Sequence, residues 1–168
     1  MTVGVDLEMS ALLRYLQAQR KHVLGALEGL DDQALRRAVL PSGWSCLGMV
    51  QHLTVAVERL WFRAVVAGDS DAIGLVGSQE CAWQVASGVP TAEILARYRQ
   101  EASLADTIIA ASSIDAGLLW WPFPEEDDWR LHSVREVVLH VITETACHAG
   151  HLDAARELID GRQWVVNT

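Results

Sequence analysis

The chain has 168 residues, of which 51% are hydrophobic and 21% are charged, and its formal net charge is −9. This length and composition predict one well-packed domain spanning residues 1–168 and argue against intrinsic disorder. The negative charge repels nucleic-acid phosphates and anionic membrane surfaces, so we expect neither as a partner. Seven of the aromatic residues are Trp, against two Tyr and two Phe, which is an unusual skew.

The sequence carries no signal for export or membrane insertion. No uninterrupted apolar run approaches the roughly 20 residues of a membrane span. Residues 1–11 include Asp6 and Glu8 and lack the basic and apolar segments of a signal peptide. The three cysteines, Cys46, Cys81 and Cys147, are odd in number and show no C-x-x-C spacing. These features predict a cytoplasmic protein without a disulfide framework.

The first half of the chain predicts two long helices. Apolar residues recur at helical spacing over residues 6–29, which predicts the first. A short amphipathic stretch at 31–38 precedes the turn sequence Pro41-Ser42-Gly43. Ser45 occupies the position expected of an N-cap for a second helix over 46–67, a segment whose only Gly is Gly48.

A third helix is predicted over residues 91–111, between two long connections at 69–90 and 112–132. Four of the tryptophans fall in these connections: Trp83, Trp120, Trp121 and Trp129. They are candidates either for lining a pocket or for capping the ends of a bundle.

The fourth helix has clear boundaries in the sequence. Ser133 and Glu136 form a capping box, in which the Glu136 carboxylate is expected to reach back to the amide of the cap residue. The helix then continues to Asp160, with Gly161 at the position of a left-handed cap. Four helices without an alternating strand pattern predict an all-α fold, a four-helix bundle with long crossover connections.

Polar side chains on the fourth helix cluster on one face. At about 100° per residue, His140, His148 and His151 lie within about 40° of Glu144. Glu144 and His148 are one helical turn apart, so both can reach one metal ion at bond lengths of about 2 Å. His52, in the middle of the second helix, is the best candidate for a third ligand.

Simpler roles stay open for several of these groups. His22 and His132 are better read as hydrogen-bonded histidines beside an apolar stripe, and His140 can be read in the same way. Cys147 is adjacent to His148 and is a candidate nucleophile or thiolate ligand, although a small buried thiol is the more economical reading.

Two segments of the chain resemble the DinB/YfiT-like superfamily of metal-binding four-helix bundles. The first combines Ser42-Gly43-Trp44-Ser45, Val50-Gln51-His52-Leu53 and Glu58-Arg59-Leu60-Trp61-Phe62, and the second runs from Glu144 through His148 to His151. The C-terminal stretch 154–161 is similar to actinobacterial members, and the resemblance covers nearly the whole chain.

The resemblance implies a ligand set. The usual ligands in the superfamily are three histidines, at the positions of His52, residue 144 and His148. Residue 144 is Glu here, as in the branch that contains the mycothiol-dependent maleylpyruvate isomerases, so the implied metal ligands are His52, Glu144 and His148. His151 is then a candidate catalytic base, a hydrogen-bond partner of Glu144 or of a water at the open position, or a replacement ligand.

The implied activity is that of a low-molecular-weight thiol enzyme. A divalent ion, with zinc the first choice and nickel, iron or manganese the alternatives, would activate mycothiol or a similar thiol for transfer to, or isomerisation of, a small electrophile. Two other functions stay open: a non-catalytic, stress-related dimeric bundle whose metal is structural, and a metal-dependent hydrolase. The expected partners are therefore a small thiol and an electrophile, with a homodimer left open.

Overall fold

The structure is a computed structural model that describes residues 7–77, 82–123 and 129–164, and within these ranges it is all-helical. In chain order the elements are α1 (Leu7–Ala26), α2 (Asp32–Arg36), α3 (Cys46–His52), a π-helical segment (Leu53–Val66), α4 (Ser70–Leu75), α5 (Thr91–Ala111) and α6 (Val134–Asp160). The predicted all-α bundle is confirmed at this level. Position 6, where the first helix was predicted to start, and Cys81 lie outside the described residues.

The long elements pack side by side around one apolar interior. α1 lies along α6, and the π-helical segment lies between α5 and α6. The side chains that meet there are almost fully buried, among them Leu16, Leu53, Phe62, Val141 and Leu152. None of the described helices is long and apolar enough to span a bilayer.

The helix caps follow the predictions closely. The Ser45 hydroxyl accepts a hydrogen bond from the Gly48 amide at 3.1 Å, and the Ser133 hydroxyl accepts one from the Glu136 amide at 3.3 Å. Gly161 ends α6 with a positive φ of 76°. The Glu136 carboxylate, however, accepts from the amide of His132 at 2.8 Å, one residue before the cap.

The second predicted helix is not a regular α-helix along its length. From Leu53 onward the backbone is π-helical, and the amide of Ala67 still bonds the carbonyl of Phe62, five residues back, at 3.0 Å. The change from α to π geometry begins directly after His52. Such wide turns are uncommon and occur often at functional sites.

The connection predicted at 69–90 contains a short helix that the sequence did not predict. Asp69 caps α4 by accepting hydrogen bonds from the amides of Asp71 and Ala72 at 2.9 and 3.2 Å. The same carboxylate pairs with Arg63 of the π-helical segment at 2.7 Å. These bonds tie α4 to the C-terminal end of the π-helical segment, which directly follows His52.

Candidate metal centre

His52, Glu144 and His148 come together between α3 and α6. Each offers a ligand atom, and these atoms all lie within 4.8 Å of one another. The imidazoles of His52 and His148 meet edge to face with their centroids 4.9 Å apart. The Nε2 atom of His148 is 3.5 Å from Oε2 of Glu144. The three side chains predicted to bind a metal therefore converge, although they come from distant parts of the chain.

The environment keeps both imidazoles in the form that binds metals. Burial, together with the nearby His148, lowers the pKa of His52 to about 4. Burial also lowers the pKa of His148, against the opposing effect of the Glu144 carboxylate. Neutral imidazoles carry a free lone pair, so these two side chains are ready to act as ligands at neutral pH.

The geometry of the cluster fits a single divalent ion. Two ligands at bond lengths of about 2.0–2.1 Å around a tetrahedral ion are separated by about 3.3 Å, close to the 3.5 Å between His148 and Glu144. In addition, Nδ1 of His52 is buried and has no hydrogen-bond partner among the described residues. A buried polar atom without a partner is costly, and coordination is one way to satisfy it.

The indole of Trp83 covers His52, and contacts with α3 hold Trp83 in place. The indole stacks on the imidazole with centroids 3.9 Å apart and an interplanar angle of 13°. The main-chain oxygen of Trp83 approaches Gly48 so closely that an added Cβ would lie 2.3 Å from it. The side-chain amide of Gln51 donates to the carbonyl of Gln84 at 2.8 Å. One turn of α3 thus holds the loop that carries Trp83 and Gln84, through contacts made by Gly48, Gln51 and His52.

Gly48 and Gln51 were not predicted as site residues. The available signal was Gly48 itself, because a Gly inside an otherwise regular helix often marks a close backbone approach.

His151 lies beside the cluster but does not join the three converging groups. Its Nδ1 atom is 3.4 Å from Nδ1 of His148, on the ring nitrogen that does not face Glu144. Its ring is 6.2 Å from that of Trp44, and the residue is exposed. His151 therefore contacts His148, a partner that the sequence did not suggest for it.

The remaining histidines have other surroundings. His22 pairs with Asp153 at 2.7 Å, and His132 is exposed. His140 is half-buried against Trp61, at 4.6 Å between ring centroids, and burial lowers its pKa. These three do not contribute to the cluster within the described residues.

The two described cysteines are both free. Cys46 is buried, and burial raises the pKa of its thiol to about 11. Cys147 is exposed, so the reading of Cys147 as a small buried thiol is wrong: it lies on the outer side of α6 although it is adjacent to His148 in sequence.

The four tryptophans of the long connections lie in three different surroundings. Trp83 lies at the cluster of His52, Glu144 and His148, as a lining residue would. Trp121 and Trp129 instead pack against Trp61 of the π-helical segment, at 5.8 and 6.0 Å between centroids. Trp120 is half-buried against the core.

An all-helical bundle with a His/Glu/His cluster between two of its helices has the features of the DinB-like class. The family model for mycothiol-S-transferase matches residues 11–161, and the chain belongs to this family, within the DinB-like mycothiol-associated superfamily. No curated protein and no solved structure matches the chain.

Proposed function

We propose that this protein is a metal-dependent transferase that joins mycothiol to a small electrophile. The observation that carries the proposal is the convergence of ligand atoms from His52, Glu144 and His148 within 4.8 Å, in a chain of the mycothiol-S-transferase family. Three protein ligands leave a position for a further ligand, which is the pattern of catalytic rather than structural zinc sites.

The donor set accepts several ions. Two imidazoles and one carboxylate suit zinc first, and nickel, iron and manganese as well. When bound, such an ion lowers the pKa of a coordinated thiol, which is about 8.5 for a free cysteine.

The side chains of the protein would handle the proton and the reacting sulfur. His151 would accept the thiol proton; it adjoins the cluster as an exposed histidine whose Nδ1 atom lies 3.4 Å from Nδ1 of His148. The sulfur lone pair then forms the new S–C bond, while the leaving group of the electrophile departs with its bonding electrons. The Trp83 indole, stacked on His52, shields that ligand from water.

We also propose a cytoplasmic location, consistent with the free thiols of Cys46 and Cys147.

Metal analysis and a transfer assay test the proposed function together. Protein purified without chelator is expected to hold one divalent ion per chain by mass spectrometry and to conjugate mycothiol to 1-chloro-2,4-dinitrobenzene. His148→Ala is expected to lose both the ion and the activity. His132→Gln, which alters an exposed histidine outside the cluster, is the matched control and should retain both.

Three outcomes would overturn this assignment. Full transferase activity in metal-free wild-type protein would show that the reaction does not need a metal at the cluster of His52, Glu144 and His148. Metal binding without thiol transfer would favour the non-catalytic bundle, and hydrolysis without added thiol would favour the hydrolase.

A further inference from the structure

A groove of about 700 Å³ lies between α1, α2 and the beginning of α5. This volume falls in the range of small-molecule sites, roughly 300–1,000 Å³. A neighbouring hollow of about 240 Å³ shares Arg20, Leu24 and Arg99 with the groove and extends it along α5. None of the described residues that line the groove belongs to the candidate metal centre, so the groove is a separate feature of the molecule.

The two long helices run in opposite directions along this groove. Gln17 and Arg20 of α1 both donate to the carboxylate of Asp106, in the second half of α5, at 3.4 and 2.6 Å. Thr91, in the first turn of α5, instead donates to Asp32 of α2, the helix that follows α1. The end of α1 therefore lies beside the beginning of α5.

The two ends of the groove differ in their chemistry as a result. One end carries three cationic side chains, those of Arg20, Lys21 and Arg99. The other end carries leucines that belong to the core or pack against it: Leu27, Leu30, Leu35 and Leu95. A ligand that matches both ends has an anionic head and an apolar tail.

Lys21 and Arg99 are the cations that are open to a ligand. Both are exposed, and neither forms an ion pair with an acidic side chain of the described residues. The guanidinium of Arg20, by contrast, is buried and bound to Glu58. In a chain of net charge −9, such a local excess of positive charge is an exception. Glu28 lines the leucine end, about 10 Å along α1 from Lys21, and repels an anionic head from that end.

We propose that this groove binds a small amphipathic carboxylate of medium alkyl chain length. The carboxylate accepts charge-assisted hydrogen bonds from Lys21 and Arg99. The alkyl chain lies on the leucines and is removed from water. Glu28 disfavours the reverse orientation. This site is independent of the proposed thiol transfer, because its walls contain none of the residues proposed for that reaction.

Isothermal titration calorimetry with decanoate, kept below the concentration at which it forms micelles, tests the proposal. Wild-type protein is expected to bind decanoate saturably, and K21Q/R99Q is expected to bind it about tenfold more weakly because two charged contacts are lost. Decan-1-ol, which keeps the tail and lacks the charge, should also bind more weakly than decanoate. Raising the ionic strength should weaken the binding of decanoate to the wild type.

The matched control is R14Q/R130Q, which removes the same number of charges from exposed residues outside the groove lining. It should bind decanoate like the wild type, which separates contact at the groove from a change in net charge. Circular dichroism checks that each variant is folded.

Four results would overturn the proposal. Absence of saturable binding to the wild type would exclude the ligand class, and equal affinities for decanoate and decan-1-ol would exclude the role of the anionic head. Equal weakening in R14Q/R130Q and K21Q/R99Q would show that the effect does not come from the groove. A dimer that dissociates when decanoate is added, measured by sedimentation velocity, would assign the groove to a second copy of the chain.

Discussion

Gly48 is the residue on which the position of Trp83 depends most directly. A Cβ at this position would lie 2.3 Å from the main-chain oxygen of Trp83, and a backbone atom cannot move aside as a flexible side chain can. We expect Gly48→Ala to displace the loop and to lower the free energy of unfolding by about 1–3 kcal/mol, the usual cost of overpacking. Urea denaturation measures the change, and zinc titration should show weaker binding because the indole no longer covers His52.

Gly150 of α6 provides the control for this substitution. It is exposed, and an added Cβ would meet nothing within 4 Å. Gly150→Ala should therefore leave stability unchanged or raise it by up to about 1 kcal/mol, as expected from helix propensity. If Gly48→Ala and Gly150→Ala were equally stable, the position of Trp83 would not depend on the close approach of its main chain to Gly48.

At the level of single residues, the sequence predicted that His52, Glu144 and His148 converge, but it did not predict which side chains surround them. Helical spacing places Glu144 and His148 on one face, and the position of His52 in the middle of the predicted second helix made it the best candidate for the third ligand, in agreement with the resemblance. The stacking of Trp83 on His52 has no counterpart in helical periodicity, because Trp83 lies in a connection whose path depends on tertiary contacts. The exposure of Cys147 was also missed, because one helical step rotates it away from the neighbouring His148.

Among the elements, the π-helical segment departs most from what the sequence predicts. Apolar spacing indicated an ordinary helix over 46–67, and the hydrophobic pattern is too coarse to separate i+4 from i+5 hydrogen bonding. Charged side chains of the segment are bonded to its neighbours: Glu58 to Arg20 of α1, and Arg63 to Glu101 of α5. These contacts are tertiary, so they could not be derived from the segment alone.

The ion pair between Glu58 and Arg20 anchors this segment to α1. Both carboxylate oxygens accept from the guanidinium at 2.6 Å, and the two residues are 1% and 6% exposed. Among the described residues, Glu58→Gln would leave Asp106 as the one charged partner of the buried guanidinium. We expect a loss of about 3 kcal/mol in the free energy of unfolding, the lower end for breaking a buried pair, measured by urea denaturation.

The exposed pair of Glu93 and Arg97 on α5 is the matched comparison for this pair. Glu93→Ala removes an i,i+4 ion pair at the surface, which is expected to cost no more than about 0.5 kcal/mol. If Glu58→Gln were as mild as Glu93→Ala, the buried pair would not be what holds the π-helical segment against α1.

For the whole molecule, the sequence predicted the long helices and their order but not the details of the connections. The long helices were predictable because their apolar stripes and caps, such as Ser45, Ser133 and Gly161, are local signals. The short helix α4 was missed because its stability depends on Asp69, which both caps it and pairs with Arg63. The candidate site lies where α6 meets α3, so the assignment of residues 46–67 and of the fourth helix as helical already placed His52 on one element and Glu144 and His148 on the other.

The candidate ligands also connect distant parts of the molecule, which gives the metal a measurable effect on stability. His52 ends α3, whereas Glu144 and His148 lie in α6, so one ion would cross-link the two helices. A ligand that binds only the folded state at one hundred times its Kd adds about 2.7 kcal/mol of stability. For a chain of this size, that corresponds to a rise in Tm of roughly 5–10 °C.

Differential scanning calorimetry of the chelator-stripped protein, with and without added zinc, measures this rise. His148→Ala should melt at a similar temperature with and without zinc, whereas the control His132→Gln should show the full increase. Comparing each variant with its own metal-free form separates the loss of the ion from any change in packing. If zinc raised the Tm of His148→Ala as much as that of the wild type, the stabilising ion would bind elsewhere, and the cross-link between α3 and α6 would have to be abandoned.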